Sequence, residues 1–318
     1  MPRRVPLPPE LVGRPFSVSQ ARALGISYDR LDSADLARPF HGARSQVEPV
    51  SIEERCRAYS TRMRDGNVFG YVTAAHLWDI PLPVAMSTEL LHVVAPRPRR
   101  APQGRGIVGH RSRLADGDVG IRRGLSITSA SRTWCDLAEV LGVDDLIAAG
   151  EWLITGNPYG KVLPVSTIDD LREGAGARQG TVGQPVRIAA LARMREGALS
   201  RPETLLRLLL ERSGIPRALI NADVFDDRGR FLGMPDLIWP EYRVAVEYEG
   251  RHHAGTVQFR HDIRRIEHMV DAEWLVVKIS ATDLFDHPAE AVARVASRLR
   301  SRGWRGHLAL RQIGSYAP

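Results

Sequence analysis

Three acids in the last third of the chain have types and spacing suited to holding a divalent cation. Asp236 follows Pro235 in the run GMPDLIW, and Glu247 and Glu249 flank Tyr248 in VAVEYEG. Phe231–Trp239 and Tyr242–Glu249 read as strands joined by a two-residue loop, Pro240-Glu241. In that register Trp239 faces Tyr242 and Asp236 faces Ala245. Side chains alternate between faces along a strand, so Asp236, Glu247 and Glu249 project from one face of the sheet. A one-residue slip would part Asp236 from the two glutamates. Three carboxylates on an apolar sheet repel one another and lose hydration, and cations are the usual remedy: a metal, or arginines. Glu203, at the start of the preceding helix, is a fourth acid for the same site. Its other reading is the acid of a capping box.

The residues immediately after Glu249 add further groups. Gly250-Arg251-His252-His253 lets the chain turn off the sheet, and the histidines read either as acid–base groups or as a turn cap. Gln258–Val270 reads as a helix on which Asp262 and Arg265, spaced i,i+3, share a face; an ordinary ion pair is the plain alternative. Glu-x-Glu at a strand end is commonly solvated surface, but VAVEYEG has the composition of a central, buried strand. Five of the ten histidines lie between 252 and 287, yet no set of four has the spacing of zinc ligands.

The elements that must position these residues are legible on either side. Ser200 caps a helix with Pro202 in its first turn, Glu203 three residues after the cap and an apolar run from Leu205 to Leu210. Gly214 stops it. Ala218–Phe225, Phe231–Trp239 and Tyr242–Glu249 form an antiparallel meander. After the helical crossover, Trp274–Ile279 runs beside the Glu247 strand, and Ala289–Leu299 closes the domain. Lys278, on that last strand, reads as buried strand, plain surface, or a lysine lent to the acids from next door.

Upstream, Ser17 or Ser19 caps one helix, Gly25 ends it, and Ser27 caps another. Phe40–Gly42 then turns a small wing, a helix-turn-helix pattern that a plain helical connector shares. IEERCRAYSTRM is a helix, YVTAAHLWDI another capped by Thr73, and ELLHVVAP a strand. The basic loop RPRRAPQGRG runs into a strand through Ile107 and Val108, and Ser129 to Gly150 is helical. Residues 155–183, rich in glycine and polar groups, read as a linker holding one short helix.

The chain has 318 residues, 43% hydrophobic and 25% charged, a globular balance that excludes wholesale disorder and a collagen-like repeat. Its two cysteines exclude a disulfide scaffold and a four-cysteine zinc ribbon, and fit a reducing compartment. No apolar run approaches the ~20 residues of a membrane span. No apolar segment comes after the arginines of MPRRVPLPPE, so the expected location is cytoplasmic, with no membrane partner. The 44 basic residues outnumber 37 acids for a net charge of +7, and only Lys161 and Lys278 among them are lysines. A basic surplus favours a polyanion, though arginine enrichment also reflects genome composition. Arg97, Arg99 and Arg100 of the basic loop, with Arg251, are the candidate phosphate contacts.

Pro235-Asp236 followed by Glu247-Tyr248-Glu249 resembles the PD-(D/E)XK nuclease pattern. PETLLRLLL, PDLIW, VAVEYEGRHH, the Asp262-x-x-Arg265 helix and WLVVKIS, in that order, resemble the DUF559 family, related to the very-short-patch-repair (Vsr) endonucleases. This likeness covers about residues 200 to 300. Residues 15 to 155, with YVTAAHLWDIPLP, GHRS and GLSITSASRTWCDLA, resemble AbiEi-type antitoxin and regulator proteins. The fold implied is multi-domain α+β: a winged helix over 1–47, a mixed α/β middle domain over 48–155, a linker over 156–185, and a restriction-endonuclease-like domain over 186–318 with a mixed central sheet flanked by helices.

The activity implied is a Mg²⁺- or Mn²⁺-dependent DNA endonuclease or nickase. Asp236 and Glu247 would be metal ligands, and Glu249 a ligand or water-positioner where many such nucleases carry lysine. His253, ahead of His252, would take a proton from water, and Arg265 would stabilise developing phosphorane charge. The departure at Glu249 removes the usual water-orienting lysine and supports the alternative implied by the upstream half: a non-catalytic DNA-binding regulator or antitoxin-type protein of a toxin–antitoxin or phage-defence system, with a cognate toxin or regulator as its partner.

Overall fold

The computed structural model describes residues 5–86, 89–157, 162–250, 267–309 and 316. The chain divides into two compact units. One comprises Met1–Ile80, Met86–Val140 and Glu173–Gly183, the other Pro81–Ala85, Leu141–Arg172 and Gln184–Pro318. Both mix helices with sheets, so the class is multi-domain α+β.

The first unit begins with β1 (Phe16–Ser17), α1 (Val18–Ala23), α2 (Tyr28–Leu31) and β2 (Ala43–Arg44). Ser17 is the N-cap of α1 and makes a full capping box with Gln20. Ser27 caps α2. Between them Gly25 adopts φ +83°, open to glycine at no steric cost. The two strands pair antiparallel as a short ribbon, over a core of Leu11, Phe16, Ala21, Ile26, Leu31 and Leu36.

Next come α3 (Ile52–Ser60), β3 (Val68–Phe69), α4 (Tyr71–Leu77), β4 (Leu91–Pro96), β5 (Ile107–Ser112), β6 (Val119–Arg122), β7 (Leu125–Thr128) and α5 (Ala130–Leu137). The strands form a five-stranded sheet ordered β5-β4-β3-β7-β6, with β4–β5 and β3–β7 parallel. The N-cap of α4 is Gly70, not Thr73. A Cβ at residue 70 would lie 2.5 Å from Val94 Cγ2, so only glycine fits the approach to β4. Thr73 sits inside the helix, and its Oγ1 accepts from the His92 amide at 2.7 Å. His92 and His110 meet across β4 and β5, Nδ1 to Nε2 at 3.0 Å, and His110 stacks on Tyr71 with ring centroids 3.7 Å apart.

The second unit carries α6 (Val143–Thr155), α8 (Gln184–Leu191) and α9 (Arg201–Arg212), while α7 (Ile168–Gly176) falls across the division. The helical stretch expected from 129 to 150 is broken at 138–142, and its second half packs on α8 and α9 within this unit. A buried charge pair fixes that packing. Glu151 on α6 accepts from Arg207 at 2.6 Å, Thr204 Oγ1 at 2.7 Å and the Arg195 amide at 2.6 Å. Glu151 and Arg207 are both almost fully buried.

The expected three-strand meander is cut into shorter pieces: β8 (Leu219–Ile220), β9 (Val224–Phe225), β10 (Phe231–Gly233), β11 (Leu237–Trp239) and β12 (Val244–Glu249). Asn221, at φ +43°, breaks the first run, and Pro235, without an amide donor, breaks the second. β9 and β10 pair as a separate hairpin. The main sheet is ordered β13-β12-β11-β8, with β13 (Leu275–Ser280) parallel to β12. α10 (Ala281–Phe285) and α11 (Pro288–Ser301) complete the unit. Leu237, Trp239, Val244 and Val246 face α9 and α11. Ile238, Ala245 and Val276 face the other way, against Met269 and Trp274.

Removing one partner of a buried ion pair strands the other charge, so Glu151→Ala should destabilise the second unit by about 3–5 kcal/mol in chemical denaturation. Burial, and secondarily the facing His92, pulls His110 down to about 4. Because an unfolded histidine titrates near about 6.5, the unfolded chain binds the extra proton first as pH falls. Stability of the first unit should therefore decline between pH 6.5 and 4, and His110→Phe should flatten that decline in melts at graded pH.

Candidate functional site: a carboxylate pair at the end of the second sheet

Trp239 pairs with Val244, Ile238 with Ala245 and Leu237 with Val246. The connection is therefore longer than the two-residue loop expected. Pro240–Tyr242 forms a 3-10 turn, and Arg243 takes a left-handed conformation at φ +47°. The register moves by two residues, which preserves the face and changes the neighbour. Continued by one step, the ladder sets Asp236 opposite Glu247 rather than Ala245.

Asp236 is held at both its backbone and its side chain. Its carbonyl accepts from the Asn221 amide at 3.0 Å, and its Oδ2 accepts from the Tyr248 amide at 2.5 Å. That amide lies at the end of β12, past the last pair that β11 contributes to the ladder. The carboxylate thus completes the pairing with β12 where the backbone of β11 gives out.

Glu247 is 8% exposed on β12, an interior strand flanked by β11 and β13. Its parallel register partner is Lys278, and the partner of Glu249 is Ser280. Register partners share a face, so Lys278 stands beside Glu247 on the side of the sheet that carries Ala245 and Val276. The Lys278 Nζ lies 2.9 Å from Glu249 Oε1, with both side chains well exposed. A lysine thus stands one strand over from Glu247, tied to Glu249. Its signal in the sequence is a lone lysine on the strand expected beside Glu247.

Glu203 stands behind the site. Ser200 Oγ accepts from its amide, and its Oε2 accepts from the Leu199 amide and from Asn221 Nδ2, each at 2.9 Å. Asn221 in turn donates its amide to the Asp236 carbonyl. Glu203 therefore makes only half of the expected capping box, its carboxylate taking the Leu199 amide rather than that of Ser200, and it supports Asp236 through Asn221.

Among the described residues, no group of three or more His, Cys, Asp or Glu side chains is arranged to hold a metal ion. Extended by one position, the β11–β12 register sets Asp236 across from Glu247, and Glu249 is engaged by Lys278. Arg251, His252, His253, Asp262 and Arg265 lie outside the described residues. Arg97, Arg99 and Arg100 are exposed after β4 of the first unit, where Arg99 bonds the Asp65 carbonyl. No helix among the described residues is long and apolar enough to cross a membrane. Compared with protein-family models, with curated proteins and with solved structures, the chain has no significant match.

The two kinds of contact predict different costs. Asp236→Ala leaves the Tyr248 amide without its acceptor and should cost about 1–3 kcal/mol in urea denaturation. Lys278→Met breaks an exposed pair and should cost less than about 1 kcal/mol in the same experiment.

Proposed function

We propose that the second unit is a Mg²⁺- or Mn²⁺-dependent DNA endonuclease or nickase of the DUF559/Vsr-like PD-(D/E)XK class. The observation that carries this reading is the register that sets Asp236 across from Glu247 with Lys278 on the same face. Hard carboxylate oxygens suit Mg²⁺, which keeps several waters and shares its shell with substrate phosphate, so two protein ligands suffice. An ion bound there supplies charge neutralisation at the scissile phosphate and a lowered pKa for a coordinated water.

The chain's own groups do the rest. Asp236 is fixed in place by the Tyr248 and Asn221 amides. Lys278, held by Glu249, sets a cation beside the acids, where phosphorane charge develops. His253, or else His252, accepts the proton from water, and Arg265 adds a second positive charge. The β1–α1–α2–β2 ribbon acts as a winged helix and the middle sheet as the AbiEi-like domain, with Arg97, Arg99 and Arg100 on DNA phosphates.

One observation favours a second reading. Glu249 is neutralised by Lys278, and the described residues present no third carboxylate to a cation. In that reading the protein is a DNA-binding regulator or antitoxin-type protein whose partner is a cognate toxin, and the acid face is a retained scaffold.

Purified protein should convert supercoiled plasmid to nicked or linear form with Mg²⁺ and not with EDTA. Glu247→Ala should abolish the conversion, and Lys278→Ala should slow it by roughly 10²–10³-fold, the usual cost of losing one preorganised group. Plasmid left intact, together with tight, strongly salt-dependent shifting of the protein's own promoter, would instead support the regulator.

A further inference from the structure

The end of the sheet that carries the acids has a second feature on its opposite face. A cleft of about 700 Å³ is walled by Trp152 of α6, Tyr248 of β12, Phe285 of α10, Leu82, Arg201 and Pro202. Its volume lies within the range of ordinary small-ligand sites, about 300–1,000 Å³, and its lining is mainly apolar and aromatic. Arg201, itself buried, donates to Asp145 at 2.8 Å and lays its guanidinium 6.0 Å from the centroid of Phe285. The guanidinium is thus pinned against an aromatic wall.

The cleft is continuous with the site strands. Tyr248 sits between Glu247 and Glu249, and its amide is the one that holds the Asp236 carboxylate. Ala281 in the wall comes directly after Ser280, the register partner of Glu249. Strand alternation turns Tyr248 toward the α9 side while Glu247 faces away, so the sheet end is a ridge with carboxylates on one side and an aromatic cleft on the other.

We propose that this cleft receives a single nucleobase turned out of the strand whose backbone crosses the ridge. Aromatic walls recognise the planar face that every base presents, and the apolar lining suits a base rather than a phosphate. A strand laid over the ridge presents its phosphate to the acids and a neighbouring base to the cleft, and proteins that hold single strands commonly stack bases on aromatic side chains. The location of the strand rests on the nuclease reading; the base-binding cleft is measurable without cleavage.

The test uses full-length protein in EDTA and a fluorescein-labelled single-stranded oligonucleotide containing 2-aminopurine, as DNA and as RNA. Anisotropy reports affinity, and 2-aminopurine quenching reports stacking in the cleft. Phe285→Ala removes one wall, and Thr282→Trp, at the rim, fills the space; circular dichroism melts check that both fold. Each should bind at least about fivefold more weakly, as expected for loss of one base stack, and lose the quenching. Wild-type affinity and quenching in both folded variants would overturn the proposal. Plasmid cleavage separates it from the reading on which it leans. Weakened oligonucleotide binding in both variants, beside a wild-type protein that never nicks, keeps the cleft and removes the hydrolase. Nicking by wild type and variants alike, with unchanged quenching, does the reverse. Whichever of the DNA and RNA strands is quenched more strongly identifies the natural source of the base.

Discussion

A single hydrogen bond organises the site end of the second sheet. The Asp236 carboxylate accepts the Tyr248 amide at 2.5 Å and so completes the pairing of β11 with β12 after the backbone ladder has stopped. The Tyr248 amide needs an acceptor beyond the last β11–β12 pair, and the short side chain of Asp236 supplies it. The same bond fixes the carboxylate at the backbone of β12, one residue past Glu247. The residue just before β11 that closes this end of the ladder is thus also the acid on which the proposed hydrolysis would depend.

Around that bond the supports are layered. Glu203 holds Asn221, and Asn221 holds the Asp236 carbonyl. Glu247 remains nearly buried on a central strand, where an acid is costly without a cation. The protein places one next to it, Lys278, which pairs with the outer acid Glu249. This arrangement positions a positive charge at the acid face without a lysine at the third position of the strand motif, at the expense of engaging one of three expected ligands.

Much of this is legible in the sequence, for identifiable reasons. Strand parity depends only on whether a register is odd or even. A two-residue error in the turn at Pro240 therefore leaves Asp236, Glu247 and Glu249 on one face and alters only which residue stands opposite which. The parallel placement of Leu275–Ser280 beside β12 is expected from the helical pattern between them. The turn itself is hidden, because it depends on Arg243 adopting a left-handed conformation that arginine seldom takes. The cap of α4 is hidden for another reason: Thr73 is a good capping residue by type, while the tight approach of Gly70 to Val94 is a tertiary fact. The allegiance of α6 to the second unit is hidden in the same way, since it turns on Glu151 meeting Arg207 across 56 residues of sequence.

The most direct measurement is Mn²⁺ binding to full-length protein, monitored by electron paramagnetic resonance of the free ion. The account predicts a site that is lost in Asp236→Asn and in Glu247→Gln and kept in Glu249→Gln. Binding that survives both of the first two substitutions, or no binding at all in the presence of a short DNA duplex, would contradict it.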